Sequence, residues 1–316
     1  MTTLKKASIH IFRLLLLLAG IWLFAAAPML LRIPEIPGII FRVSIILLFI
    51  AGFRDKHYHI MLALCELFSL LFFLTLTPQL QFRDREFMRQ FAVKPAINYL
   101  SDGKFEVIRL RNNRYRTVDD YDENYQNVSF DPAKVSAMDI AMVYWDNQSL
   151  VAHTMLNFKF TDGKNLALSV EPRTPVDSDR EPLTCLNKQQ ELLIILGTPE
   201  DLFDLRIKYR KEDLYLYQTN FTPAECRIIL EDIIAKVDRL DKNPEFYDLI
   251  RANCITAVYP ALQKAAPQLK YELRVIFNGL FDRMLFENKI LKHNDKESFE
   301  SLKSRSLTAG KIQGKL

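Results

Sequence analysis

Glycine is scarce in this chain, nine residues in 316, and so are histidine, with five, and cysteine, with four. Without a Gly-rich run between a strand and a helix there is no phosphate cradle of the nucleotide-binding kind. The histidines and cysteines show no metal-ligand spacing, so neither a metal centre nor any other cofactor is expected. No segment repeats, which sets aside solenoids and propellers. A surplus of one charge is missing too. The 42 basic and 38 acidic residues give a formal net charge of +4 and are mixed along the chain, without the basic stripe that neutralises phosphates. Nucleic acid is therefore not an expected partner.

A further absence is local. At 49% hydrophobic and 25% charged the chain averages like a globular protein, yet the apolar residues crowd before Pro78 and the charges follow it. No charged residue stands between Leu14 and Leu31, which suits a helix crossing a hydrocarbon core about 30 Å thick. The alternative for this stretch is a cleaved secretory signal, with Lys5, Lys6 and Arg13 as its basic start and Ala25-Ala26-Ala27 as the cleavage site. Pro34, Pro37 and Gly38 then make a turn. Ile39 to Phe53 is apolar except for Arg42, the hinge Arg54 to His59 is polar, and Ile60 to Thr77 is apolar except for Glu66. The sequence thus predicts about three transmembrane helices, near 9–31, 39–53 and 59–78, within a region 1–79. One domain, 80–316, follows and is long enough to bury its own core. Basic residues at the N-terminus and in the hinge put both on the cytoplasmic side, so everything after Pro78 lies outside whether or not the first segment is removed. Glu66 reads either as a carboxylate packed between helices or as a polar site within the membrane.

In the second region Phe105 to Leu110 and Ile140 to Tyr144 read as strands. The acidic, tyrosine-rich stretch Asp119 to Asn127 lacks the glycine and closing glutamate of a calcium loop and reads as an exposed loop. Leu150 to Phe160 and Asn165 to Glu171 are joined by Thr161-Asp162-Gly163-Lys164, a hairpin signal. A two-residue loop would mix apolar and polar residues on both faces. A three-residue loop with Gly163 left-handed pairs Leu156 with Leu168 and Phe158 with Leu166 on one face, and Met155 with Ser169 and Asn157 with Ala167 on the other. That register separates an apolar face from a polar one, so burial selects it. It sets His153 across from Glu171 with Cβ atoms about 4.5–5.5 Å apart. The carboxylate then either orients the imidazole or sits just beyond reach and pairs with Arg173.

Thr222-Pro223-Ala224-Glu225 is a capping box, and Ile228, Ile229, Ile233 and Val237 form an apolar stripe to Leu240. After Asn243-Pro244, Asn253 reads as an N-cap with Cys254 opening a helix through Thr256, Val258 and Leu262. Backbone amides at such a position favour a thiolate and can hold the oxyanion of a tetrahedral intermediate. Cys254 is accordingly either a nucleophile served by His153 or a buried structural cysteine. Of the others, Cys65 lies in the third span, while Cys185 and Cys226 are either free or oxidised together. A helix carrying Leu273, Ile276, Phe277, Leu280 and Leu285 reads as core, or else rests its apolar face on lipid.

Five short segments in order carry a resemblance: Ala152-His153-Thr154-Met155-Leu156-Asn157-Phe158, Ser169-Val170-Glu171 with Arg173, Leu214-Tyr215-Leu216-Tyr217, Pro244 with Tyr247, and Asn253-Cys254 with Thr256. With Phe277-Asn278-Gly279 they resemble the Lnb N-terminal periplasmic domain family. Asp248, Ile255 and Pro172 depart from its pattern. The resemblance implies an α+β, papain-like thiol-enzyme domain with a central antiparallel sheet, in which histidine precedes cysteine. It implies a bacterial inner membrane protein, multi-pass, with its large domain in the periplasm. It also implies fatty-acyl transfer from a membrane phospholipid to the N-terminus of a lipoprotein through a thioester. Cys254 would be the nucleophile, His153 the base and Glu171 its orienting group, with Asn253, Arg173 and Thr256 as substrate or oxyanion contacts. An envelope cysteine peptidase or amidase would use the same thiol. A non-catalytic, membrane-anchored binding module would not need it.

Overall fold

The computed structural model describes residues 85–144, 150–176 and 190–308. The expected membrane spans, Cys65, Glu66 and Cys185 lie outside the described residues, among which no helix is long and apolar enough to cross a membrane.

The elements run in order as follows. Helix α1 (Arg89–Ala92) precedes strands β1 (Ala96–Tyr99), β2 (Phe105–Arg111), β3 (Arg114–Tyr115), β4 (Tyr121–Asp122), β5 (Tyr125–Phe130), β6 (Val135–Tyr144), β7 (Ala152–Phe160), β8 (Asn165–Arg173) and β9 (Glu191–Gly197). Helix α2 (Pro199–Asp204), β10 (Asp213–Gln218), α3 (Pro223–Lys242), α4 (Tyr259–Ala265), α5 (Leu273–Ile276), α6 (Phe281–Glu287) and α7 (Phe299–Ser306) complete them. The fold is α+β around one large sheet of order β1-β2-β9-β8-β7-β6-β10, with β5 also paired to β2. All its pairings are antiparallel except β2 with β9, which run parallel at Arg111 and Gly197.

The β7–β8 hairpin takes the register that burial selects. Met155 pairs with Ser169, Leu156 with Leu168, Asn157 with Ala167 and Phe158 with Leu166. Gly163 has φ 85°, the left-handed conformation that a three-residue loop needs and that glycine adopts without steric cost. The period of two then sorts the side chains. Ala141, Val143, Met155, Ala167, Leu193 and Ile195 form one cluster with Leu202 and Phe203 of α2. Their strand neighbours Ile140, Met142, Leu156, Phe158, Leu166 and Leu168 point the other way and are also fully buried. The sheet is therefore covered on both faces at its centre.

Helix α3 begins with the expected capping box, the Thr222 side chain accepting from the Glu225 amide and Glu225 accepting from Thr222 N–H. It packs on β6, β1 and β9 through Ile229, Ile233, Ile234 and Val237. Ile228, expected in that stripe, is exposed, because the buried arc turns toward Cys226, Leu230 and Ile234 instead. The stretch 119–127 is not simply a loop. Tyr121–Asp122 pairs with β3, β5 begins at Tyr125, and the Tyr121 ring is buried against Tyr115 and under Arg89.

Two further expectations are corrected. Cys254 does not open a helix; it lies in a series of turns, and α4 starts only at Tyr259. Pro260 has no N–H to give the Thr256 carbonyl, so a regular helix cannot run through from Cys254. The apolar C-terminal stretch is likewise broken, into α5, a 3-10 turn Asn278–Leu280 and α6. Val275 and Leu285 are core, whereas Leu273 and Phe277 are exposed.

Candidate active site

His153 sits near the start of β7, on the face shared with Met155, opposite Val143 of β6. Ser169 and Glu171 on β8 occupy the same face two residues apart, as the alternation of a strand requires. The three side chains connect. His153 Nε2 lies 2.6 Å from Ser169 Oγ and 3.1 Å from Glu171 Oε1, and the Ser169 hydroxyl donates to Glu171 Oε1 at 2.7 Å. Because Ser169 gives its proton to the carboxylate, its oxygen accepts from the ring. The ring therefore carries a proton on Nε2.

Cys254 reaches this ring from the other side of the sequence. Its side chain is among the influences that raise the His153 pKa. Sγ also faces the Ala152 carbonyl at 3.8 Å and accepts from Asn278 Nδ2 at 3.0 Å. Asn278 Oδ1 in turn accepts from the Ala152 amide at 2.9 Å. One side chain thus ties the first residue of β7 to the sulfur. The break between α5 and α6 is what turns Asn278 inward, since a continuous helix would have carried it past this position.

Cys254, His153 and Asn278 are all buried, at 4%, 6% and 6% exposure. Burial opposes a charged imidazole, but the Glu171 carboxylate outweighs it and pushes the His153 pKa up to about 9. Burial likewise works against a charged Glu171, yet His153, then Arg206 and Ser169, hold its carboxyl well below the usual range. Arg206 Nη2 is 3.1 Å from Glu171 Oε1, and its Nη1 is 3.2 Å from Glu212. Arg206 belongs to a π-turn, Leu205–Tyr209, that continues α2. Such turns re-aim a side chain within a helix. Here the turn points a guanidinium at the group that orients the imidazole.

The remaining expected site residues lie close by, with other duties. Asn253 Oδ1 accepts from the amides of Ile255 and Thr256, as an N-cap does, and its Nδ2 donates to the Leu249 carbonyl at 2.7 Å. Thr256 Oγ1 accepts from the Asn253 amide at 2.8 Å. Both residues therefore shape the turn that presents Cys254, and the Asn253 side-chain amide is directed at Leu249. Arg173 donates to the carbonyls of Phe91 and Ala92, pairs with Glu191 at 2.9 Å and stacks on Phe87. Glu171 is thus shared by His153 and Arg206 rather than by Arg173. Ser169, Arg206 and Asn278 had no assigned role in the sequence. The register already placed Ser169 beside Glu171, and Asn278 stood in one of the segments that carry the family resemblance, but only tertiary packing gives Asn278 its contact with the sulfur and brings in Arg206.

A family model described as the Lnb N-terminal periplasmic domain matches residues 121–286, just over half of the chain. The chain belongs to that family. No curated protein and no solved structure matches it. The Lnb N-terminal periplasmic domain match includes His153, Ser169, Glu171, Arg206, Cys254 and Asn278, and the family's description supports a location in the bacterial envelope. Among the described residues no group of histidine, cysteine, aspartate and glutamate could hold a metal ion. Cys226 is free and fully buried, and burial pushes its thiol up to about 12, so it is no rival nucleophile.

Proposed function

We propose that this protein is an inner-membrane, cysteine-dependent acyltransferase with a papain-like periplasmic domain. It would carry a fatty-acyl group from a phospholipid to the N-terminus of a lipoprotein. The observation that carries the reading is the Cys254 sulfur at the start of β7, 3.8 Å from the Ala152 carbonyl, beside an imidazole that Ser169 and Glu171 hold by its Nε2. A cysteine sulfur beside an oriented imidazolium that can hold and return its proton is the minimal apparatus of covalent acyl transfer.

The steps balance as two displacements. With the Cys254 proton already held on His153 as an imidazolium, Sγ attacks the ester carbonyl carbon of the phospholipid. The tetrahedral oxyanion meets Asn278 Nδ2, which lies 3.0 Å from the sulfur, and the Cys254 backbone N–H, which has no acceptor of its own among the described residues. The carbon–oxygen bond breaks, His153 protonates the leaving alkoxide, and a lysophospholipid departs from a Cys254 thioester. A lipoprotein amine then attacks the thioester, His153 accepts its proton, and the thiolate leaves and is reprotonated. Glu171 keeps the imidazolium stable in each half-reaction, and Arg206 keeps Glu171 in place.

The test is mass spectrometry of the full chain purified in phospholipid. A fatty-acyl mass on the peptide containing Cys254 is expected in wild type and should vanish in His153→Ala. If no adduct forms, and Cys254→Ala complements a deletion fully, the enzyme reading fails.

A further inference from the structure

Six of the nine large hydrophobic side chains that are exposed among the described residues belong to segments that enter the candidate active site: Leu150, Val151, Ile250, Tyr271, Leu273 and Phe277. Leu150 and Val151 immediately precede Ala152 and His153. Phe277 immediately precedes Asn278, and Ile250 opens the turns that present Cys254. Hydrogen bonds join these segments to one another: Gly279 N–H donates to the Leu150 carbonyl at 3.1 Å, and Tyr271 Oη to the Ile250 carbonyl at 3.5 Å. The three other exposed hydrophobics, Tyr99, Val176 and Ile228, stand on separate elements. Scattered apolar residues are ordinary on a surface, but a contiguous apolar rim is not.

Basic residues flank this rim, together with the carboxylates Asp248, Glu272 and Glu287. Arg251 and Lys270, the neighbours of Ile250 and Tyr271, are exposed, and neither side chain has an acidic partner among the described residues. The nearby carboxylates Glu272 and Glu287 are both taken by Arg274. A rim of leucine, phenylalanine and tyrosine with free basic residues beside it matches the boundary between acyl chains and anionic headgroups.

We infer that this rim is a docking surface for the lipid bilayer, with Leu273 and Phe277 entering the acyl region and Arg251 and Lys270 meeting anionic phospholipid headgroups. The inference rests on the acyl-transfer reading and deepens it. A lipid that stays in its bilayer can bring its ester to Cys254 only if the surface beside that residue is itself seated on the bilayer. The uncharged run Leu14 to Leu31 in the same chain fits a protein that works at a membrane.

The experiment reads contact with lipid, not acyl transfer. Full-length protein with Trp22→Phe and Trp145→Phe receives a single tryptophan by Leu273→Trp, or by Phe277→Trp in a second variant. It is then reconstituted with phosphatidylethanolamine and phosphatidylglycerol vesicles brominated in their acyl chains. Emission at both positions is expected to shift to the blue and lose most of its intensity relative to unbrominated vesicles, while a Tyr99→Trp control on β1 changes in neither respect. Adding Arg251→Glu and Lys270→Glu should restore much of the emission. Quenching at neither position would overturn the proposal, and a blue shift that follows protein concentration without quenching would assign the rim to a second copy. Quenching without a Cys254 adduct would leave the docking surface standing and remove the transferase reading. An adduct without quenching would do the reverse.

Discussion

At the scale of single residues the site depends on who donates to whom. Ser169 can relay between His153 and Glu171 only because its hydroxyl gives its proton to the carboxylate and takes one from the ring. Glu171→Gln would reverse the strongest influence that keeps the imidazole charged. The His153 titration, followed by NMR of the labelled ring, is then expected to move down from about 9; an unmoved titration would mean that Glu171 does not control it. Asn278 allows a sharper separation. If its Nδ2 stabilises a tetrahedral oxyanion, Asn278→Ala should slow acylation by roughly 10²–10³-fold, the usual loss for one such donor. Alkylation of Cys254 by iodoacetamide passes through no oxyanion and should change far less. Equal losses in the two reactions would reduce Asn278 to a positioning residue that holds β7 against the thiol.

At the scale of elements, much of this architecture could be read from the chain. The hairpin register followed from alternation and one glycine, because a slip of a single residue would have turned Leu156, Phe158, Leu166 and Leu168 out of the core. The capping box of α3 was legible for a similar reason: its donors and acceptors are local. The turns that present Cys254 depart from the expected helix, and Pro260, which stops a helix from running through, is the residue in the sequence that signals it. Asn278 was hidden more deeply. Its partners are the Ala152 amide and the Cys254 sulfur, both far away in sequence, and no periodicity announces a contact of that kind. Where β2 and β9 run parallel the packing is tighter still. A Cβ on Gly197 would lie 2.9 Å from the Arg111 carbonyl oxygen, so backbone and not a flexible side chain would have to move. Gly197→Ala is expected to cost about 1–3 kcal/mol, as overpacking does. Gly163→Ala would meet no atom but must adopt φ near 85°, and should cost about 1–2 kcal/mol. Urea unfolding measures both, and a neutral Gly197→Ala would show that β9 has room to shift.

At the scale of the whole molecule, the buried charges couple the reaction chemistry to stability. His153 titrates near 6.5 in an unfolded chain and near 9 when folded beside Glu171. Below about pH 6.5 both states carry the proton and the folded form enjoys the full stabilisation. Between 6.5 and 9 the unfolded state has released its proton while the native state still holds one, so stability falls as pH rises, and the contribution is gone above 9. The shift corresponds to a loss on the order of 3 kcal/mol across that window. Glu171 acts at the other end: its carboxyl is held below the usual range, so its contribution is present at neutral pH and is lost on acidification through the depressed value. Because the two groups stabilise each other, the two losses describe one interaction and do not add. Urea unfolding of the full chain in detergent, at intervals from pH 6 to 9.5, should show wild type weakening toward alkaline pH. His153→Gln, less stable at pH 6, should follow a much flatter line. Parallel slopes for the two proteins would rule out the His153–Glu171 pair as the source and move attention to other groups that titrate in this range.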